Sequence, residues 1–262
     1  LYADVFRGVH ATGVFAKRAL DGIVTAKDAV PSYIFMRSQE YLDVLTGKTT
    51  VNIAPTFIVG HNRHATRGAS GDPKGAHPFQ HGNITLVHNG TLTDQSLLPE
   101  HTQFMVDSDN ICYSINKIGA AETIQKLDGA FTLVWHDASD DTVHIIRNDE
   151  RPFHLAKVGS DWFGASEEDM LMWILTRNRT TKNRSIEHFE CEVGVEYIFD
   201  VSGATKRFVL KDQIKHDLPV FTYVSRYGSL GSGWQNNYGN SNRQYLPQTK
   251  EERKATAAAG YN

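Results

Sequence analysis

The sequence predicts an α+β fold in which two β-sheets pack face to face and are covered by helices. Short apolar or alternating runs, each bounded by turn residues, recur up to Asp200 and indicate strands. Groups of these runs alternate with segments in which apolar residues have helical spacing. The predicted strands are, in chain order, Gly13–Lys17, Gly22–Thr25, Phe57–His61, Ile84–His88, Phe131–Trp135, Val143–Arg147, Trp162–Ala165, Ile186–Glu190 and Glu196–Asp200.

Two segments have the pattern of amphipathic helices. Asp107–Ile118 and Glu167–Leu175 place apolar residues at helical spacing. Each begins with acidic or hydroxyl residues, which favour a helix start. Helices interleaved with groups of strands suit two sheets that are covered on their outer faces.

The composition changes after about Val224. Residues 225–245 are rich in Gly, Ser, Asn, Gln and Tyr, and the chain then closes on an alanine-rich run. We therefore expect a folded domain over residues 1–224 and a tail over residues 225–262. A neighbouring subunit, as in a homo-oligomer, or the body of the domain is expected to hold this tail.

The overall composition is that of an ordinary globular protein. The 262 residues are 40% hydrophobic and 22% charged, with a net charge of −3 and a pI near 6.5, so nucleic acid is not an expected partner. Two distant cysteines give no disulfide framework. Apolar runs are too short for a membrane span or a signal peptide. These features predict a cytoplasmic protein that does not bind membranes.

Four short polar motifs carry side chains suited to binding and hydrolysing an amide. A planar guanidinium binds a carboxylate through paired hydrogen bonds, and a fixed carboxylate suits an ammonium group. An asparagine amide beside a glycine N–H offers two neutral donors for a developing oxyanion. The motifs are Gly60–Gly68 with Arg63, Ala76–Phe79 with His77 and Pro78, Leu86–Gly90 with Asn89, and Val106–Asn110 with Asp107.

The order and spacing of these motifs resemble the class II glutamine amidotransferases, a family of N-terminal nucleophile hydrolases. Further segments resemble the family in the expected order and extend the likeness over roughly the first 200 residues. Three residues depart from the family pattern: His10 and Ala11 stand where the family has Asp and Ser, and Asp109 replaces a usual Glu. The further segments are Phe6–Val14, Leu127–Val134, Arg147–Phe153 and Phe163–Glu167.

The resemblance implies a four-layer αββα sandwich and hydrolysis of glutamine to glutamate and ammonia. It implies that Asn89 and Gly90 stabilise the oxyanion and that Arg63 and Asp107 hold the amino-acid end of glutamine. The other residues assigned to the substrate pocket are His77 and Thr66. No metal and no cofactor are implied. The glutaminase fold and its tail account for all 262 residues of this sequence, so the ammonia acceptor is expected on a separate synthase subunit. The alternative is that ammonia is released freely.

The nucleophile of this family is an N-terminal cysteine whose own amine serves as general base. This sequence starts with Leu1, while Cys112 and Cys191 have the character of small core residues. We expect a terminal cysteine about twenty residues ahead of Arg7. The first alternative is an inactive relative that binds glutamine or only keeps the fold. The second is an amide hydrolase of the same fold that acts on a peptide or a γ-glutamyl compound.

Each motif alone also has a structural interpretation. Arg63 could be a surface arginine, Asp107 a helix cap and the Asn89–Gly90 pair a hairpin turn. Their joint occurrence favours a pocket, whereas the roles of Thr66, Arg67 and His64 stay open. A zinc site at His61 and His64 is not expected, because a strand points these residues to opposite faces. The remaining assignments are Trp135, Trp162 and Trp173 to the core, His81 to a loop, and Arg147 and Arg151 to an ion pair or an acidic substrate.

Overall fold

A computed structural model describes residues 1–47, 54–64, 71–203, 208–223 and 245–248 of the chain. The chain forms two compact units, residues 1–217 and 218–262. In the second unit, Val220–Tyr223 pairs antiparallel with Tyr245–Gln248. The tail predicted for residues 225–262 lies mostly outside the described residues and stays a proposal.

The first unit contains three antiparallel sheets and five α-helices in its described part. One sheet has the order β2-β1-β3, a second has the order β10-β8-β9, and the largest has the order β12-β11-β7-β6-β5-β4. The strands are β1 Ala11–Arg18, β2 Gly22–Asp28, β3 Phe57–Arg63, β4 Phe79–His81, β5 Ile84–Asp94, β6 Asp128–Asp137, β7 Thr142–Arg147, β8 His154–Val158, β9 Asp161–Ala165, β10 Glu187–Glu190, β11 Val195–Asp200 and β12 Val209–Lys215. The helices are α1 Ser32–Phe35, α2 Gln39–Thr46, α3 Asp107–Ile118, α4 Ala120–Ile124 and α5 Glu168–Arg177.

One apolar core joins the largest sheet to the two smaller ones. Phe15 and Phe57 from the first sheet and Leu155 from β8 belong to the same buried cluster as Val134 and Phe199 of the largest sheet. Nearly every residue of β6 is buried, which indicates that both faces of its sheet are covered. The cluster therefore fills the space between sheets, as expected when flat elements bury their apolar faces against each other.

Helices cover the sheets on sides that the central core leaves open. Phe35 of α1 and Val44 of α2 pack with residues of β1 and β2, while Leu171 and Leu175 of α5 pack with β8. Helix α3 contacts β4 and β5 and buries Cys112, as predicted for this cysteine. The predicted mixture of sheets and helices is confirmed; the order of four layers remains a prediction that this packing supports.

The predicted elements recur in the structure with shifted ends. Each predicted strand overlaps an observed one, and both predicted helices are present. Trp173 is wrongly assigned to the core, because its side chain is 54% exposed on α5. His81 ends β4 and does not lie in a loop. Within the described residues, no helix combines the length and apolar character that crossing a membrane would require.

Candidate active site

One cavity of about 1000 Å³ brings together five of the six predicted site residues. They come from three elements: the end of β3, the middle of β5 and the start of α3, with the His77–Pro78 turn beside them. Thr66 lies in the undescribed segment 65–70, so its predicted role has no structural counterpart. The five predicted residues that line the cavity are Arg63, His77, Asn89, Gly90 and Asp107.

Arg63 is the last residue of β3 and its side chain is buried. Its guanidinium atoms lie against Gly75, where an added Cβ would come within 3.2 Å. Burial lowers the pKa of Arg63, and the carboxylates of Asp107 and Asp72 oppose that shift. The surface interpretation of Arg63 is therefore wrong. A buried arginine beside carboxylates is a permanent cation in the wall of the cavity.

Asp107 is the first residue of α3, and Val106 holds the N-cap position, so the helix-cap interpretation is wrong. The Asp107 carboxylate accepts a hydrogen bond from the Leu92 N–H at 2.7 Å and one from the Ser108 N–H at 2.9 Å. These bonds fix the buried carboxylate between β5 and α3. Each carboxylate oxygen has a second lone pair, which leaves capacity to accept from a ligand ammonium.

Asn89 and Gly90 lie inside β5, which continues to Asp94. The hairpin-turn interpretation is therefore wrong, and the strand continues beyond His88, where the predicted strand ends. Gly90 has φ +152°, a backbone conformation that disfavours other residues, and a Cβ added there would lie 1.9 Å from the Ala130 carbonyl oxygen. Glycine is required because β5 and β6 approach closely at this point.

We expect Gly90→Ala to destabilise the protein by at least about 1–3 kcal/mol, because the new methyl group overlaps the β6 backbone. The denaturant midpoint of the purified variant measures the effect. Gly71→Ala is the matched control, since nothing lies within 4 Å of a Cβ there, and its midpoint should shift by no more than about 0.5 kcal/mol. Equal midpoints for the two variants would contradict the close approach of β5 and β6.

The His77–Pro78 turn is a cis peptide held by residues that sequence reasoning did not identify. The Lys27 ammonium donates to the Ala76 carbonyl at 2.7 Å and to the Pro78 carbonyl at 2.9 Å, on either side of His77. On β1, a Cβ added to Gly13 would lie 1.9 Å from the His77 carbonyl oxygen. The first two strands therefore fix the turn, and Gly13 allows the contact.

Three histidine rings lie in this wall of the cavity. His77 and His88 are buried, and the centroid of the His77 ring is 3.9 Å from that of His61. Burial lowers the pKa of each imidazole, to about 4 for His61, and neighbouring histidines add to the shift for His61 and His77. All three rings are therefore neutral at pH 7. Both nitrogens of His77 are buried, and neither has a hydrogen-bond partner in the described part of the chain.

The rings of His61 and His64 have different neighbours. The His64 ring contacts His10 at 4.7 Å, whereas His61 contacts His77. Across the described ranges, no group of three or more His, Cys, Asp or Glu residues is placed to hold a metal.

Neither cysteine belongs to the cavity. Cys112 and Cys191 are fully buried and do not line it. Burial raises the pKa of the Cys112 thiol, and it raises the pKa of Cys191 to about 12. Since the thiolate is the reactive form, both thiols are inert at neutral pH. Arg147 serves the fold, because its guanidinium donates to the Cys191 carbonyl at 2.6 Å and pairs with Glu190 at 2.7 Å.

One comparison with known proteins matches the segment that carries the predicted site residues. A family model described as a glutamine amidotransferase domain matches residues 61–172, the segment that begins at β3 and ends in α5. The five predicted residues that line the cavity all lie within this matched segment. The chain matches no curated protein sequence.

Two solved structures share the fold. One is the glutamine phosphoribosylpyrophosphate amidotransferase from B. subtilis, at a TM-score of 0.54 and 17% identity over 77% of this chain. The other is described as the allosteric regulatory enzyme of purine biosynthesis, at a TM-score of 0.56 and 18% identity over 77% of this chain. This chain covers 43% of the length of each. The family match and the shared fold lead to one conclusion: residues 61–172 match a glutamine amidotransferase domain, and the chain has the fold of these two enzymes.

Proposed function

We propose that this domain hydrolyses glutamine to glutamate and ammonia, with a cysteine ahead of Leu1 as the nucleophile. The observation that carries the proposal is the convergence of Arg63, Asp107, Asn89 and Gly90 on one cavity. A buried cation, a fixed carboxylate and a pair of neutral donors match the carboxylate, the ammonium and the reacting amide of glutamine.

In this proposal the cysteine thiolate attacks the side-chain carbonyl carbon of glutamine. The carbonyl oxygen then becomes negatively charged, and the Asn89 amide and the Gly90 N–H stabilise it. The amine of the cysteine gives the proton that it took from the thiol to the nitrogen, the C–N bond breaks, and ammonia leaves, which produces a thioester. Water hydrolyses the thioester, releases glutamate and restores the thiol.

Two unpaired strand edges support a place for the nucleophile beside the cavity. In the described part of the first unit, β3 pairs only with β1 and β9 pairs only with β8. Residues 58–62 of β3 and 161–166 at β9 both line the cavity, and so does Leu1. An extended segment ahead of Leu1 would therefore meet two edges that can accept backbone hydrogen bonds.

The ammonia acceptor belongs to this proposal as well. The B. subtilis relative is named for transfer to phosphoribosylpyrophosphate, and this chain matches less than half of that protein. We propose that a separate synthase subunit uses the ammonia produced here. A homo-oligomer contact that holds residues 225–262 is a further part of the proposal.

N-terminal sequencing and a glutamate-release assay on the natural protein test the proposed reaction. We expect a terminal cysteine, glutamate release from glutamine, and covalent labelling of that cysteine by a glutamine-like diazoketone. Glutamine binding without release or labelling would instead indicate an inactive binding protein. Turnover of another amide with none of glutamine would indicate a different hydrolase.

Arg63 gives a sharper test of substrate recognition. We expect Arg63→Lys to raise KM for glutamine about 10–100-fold, because lysine keeps the charge but loses the paired donors. Arg37→Lys, an exposed arginine just after α1, is the control and should leave KM unchanged. Unaltered KM in Arg63→Lys would show that Arg63 does not hold the carboxylate.

A further inference from the structure

We propose that His61 is a positioning residue that holds the β5 backbone so that Asn89 and Gly90 meet the oxyanion. This inference rests on the proposed hydrolysis of glutamine. His61 lies on β3, and its Nε2 is 3.1 Å from the His88 carbonyl oxygen on β5. That carbonyl belongs to the peptide that joins His88 to Asn89. The contact therefore links two different sheets directly beside the predicted oxyanion donors.

The contact fixes the tautomer of His61. A carbonyl oxygen can only accept, so the hydrogen must lie on Nε2 of His61. Burial keeps the ring neutral, with a pKa of about 4, and a neutral ring carries its single hydrogen on one nitrogen. The opposite nitrogen, Nδ1, is shielded from solvent and has no hydrogen-bond partner among the described residues. His61 is therefore a single-donor group aimed at one acceptor.

The sheet register places the Gly90 N–H on the same edge of β5. Gly90 is paired with Phe131 of β6. Phe131 donates its N–H to the Asn148 side chain and accepts at its carbonyl from the Asn148 N–H. The pair therefore does not exchange hydrogen bonds, and the N–H of Gly90 points away from β6. The His88 carbonyl, two residues earlier, points the same way and meets His61.

The imidazole of His88 is anchored independently of its carbonyl. Its Nδ1 is 3.0 Å from the Ser108 hydroxyl on α3, and its Nε2 is 3.3 Å from the Ala130 carbonyl on β6. Because that carbonyl accepts, Nε2 of His88 carries the hydrogen and the Ser108 hydroxyl donates to Nδ1. Loss of His61 would release the carbonyl and leave these two anchors in place, so the fold is expected to survive.

A pair of substitutions separates positioning from packing. The side-chain amide of glutamine reaches about as far as the histidine Nε2, whereas that of asparagine stops near Nδ1. We expect His61→Asn to lower kcat about 10–100-fold with KM for glutamine almost unchanged, because small displacements of catalytic groups cost rate. We expect His61→Gln to recover most of kcat. His188→Asn, an exposed histidine on β10, is the control.

A structural readout gives the same test without turnover. The amide ¹⁵N shift of Asn89 reports hydrogen bonding to the preceding His88 carbonyl, so it should move in His61→Asn and return in His61→Gln. Full kcat in His61→Asn, or equal loss in both variants with an unmoved Asn89 signal, would overturn the positioning role. A wild-type protein that releases no glutamate would instead refute the proposed function, and the Asn89 signal would still test the contact.

Discussion

We expect Asn89→Ala to lower kcat for glutamine hydrolysis by a factor of about 10²–10³, with a much smaller change in KM. Removal of one side-chain donor from an oxyanion hole has an effect of this size in other hydrolases. The loss falls on kcat because the oxygen becomes fully negative only in the transition state, so the bound substrate gains little from this donor.

The position of Asn89 in the sheet explains why the fold should tolerate the change. Asn89 is paired with Thr132 of β6, and its backbone stays in the ladder whatever its side chain. Its side chain is half-buried and faces the cavity, so truncation leaves no void in the core. Catalysis is therefore expected to fall while the unfolding temperature changes little.

Steady-state kinetics on the natural protein with Asn89→Ala measures this effect. Asn83→Ala is the matched control, because Asn83 is an exposed asparagine at the turn between β4 and β5. Its kcat should equal that of the wild type. If Asn89→Ala kept kcat within a factor of about three, stabilisation by this side chain would be excluded, since each factor of ten corresponds to about 1.4 kcal/mol.

The motifs predicted most of the candidate site because each marks the end of an element or a special backbone position. Arg63 ends β3, Asp107 begins α3, and Gly90 stands where β5 and β6 approach too closely for a side chain. A site built at such positions requires particular residue types at particular points of the sequence, and these residue types therefore occur in a recognisable order. Their convergence on one cavity follows from the packing of the β2-β1-β3 sheet against the largest sheet, which the sequence pattern alone does not determine.

The supporting residues were not predictable in the same way. Lys27 and His61 contact main-chain carbonyls. Every residue has a main-chain carbonyl, so the sequence does not show which residue is the partner. A histidine on a strand is also compatible with solvent, a metal or a core. Only the distance across the two sheets identifies the partner.

Some elements were missed for reasons of length and pattern. β4 has three residues, and β8 is only five residues long, without a clear alternation of buried and exposed positions. Trp173 was misplaced because large aromatic residues at helical spacing usually face a core, whereas α5 buries Leu171 and Leu175 and exposes the indole. In both cases the structure of the segment depends on tertiary packing, which the local sequence pattern does not determine.

We expect the protein to lose stability steeply as the pH falls from about 6.5 to about 4.5, before most carboxylates are protonated. The reason is the group formed by His61, His77 and His88, whose pKa values are all lowered in the folded protein, mainly by burial. In the unfolded chain these histidines take up protons near pH 6.5. The folded protein binds fewer protons in this window, so acid favours unfolding.

The magnitude follows from the number of protons. Each histidine that is neutral when folded and protonated when unfolded contributes a slope of about 1.4 kcal/mol per pH unit. His61, whose pKa in the folded protein is about 4, contributes most of this slope near pH 5, and the lowered pKa values of His77 and His88 add to it in the same direction. Glu196 affects the stability of the protein at lower pH than the histidines do. Burial raises the pKa of Glu196, but hydrogen bonds from His144 and His216 outweigh burial, so the pKa is lowered overall. Its contribution is lost only below about pH 4.5, the range of an ordinary glutamate.

Denaturant unfolding at several pH values from 4.5 to 8 measures the slope. His77→Gln should reduce the slope near pH 5, by up to about 1.4 kcal/mol per pH unit, because one titrating ring is removed. His188→Gln is the control: this histidine is exposed and bonded to Glu168, and its loss should leave the acid-side slope steep. A stability that stays flat between pH 6.5 and 4.5 would mean that the three rings accept protons in the folded state. The cavity wall would then be open to water and positively charged in acid, and His61 would no longer be the neutral donor that holds the His88 carbonyl.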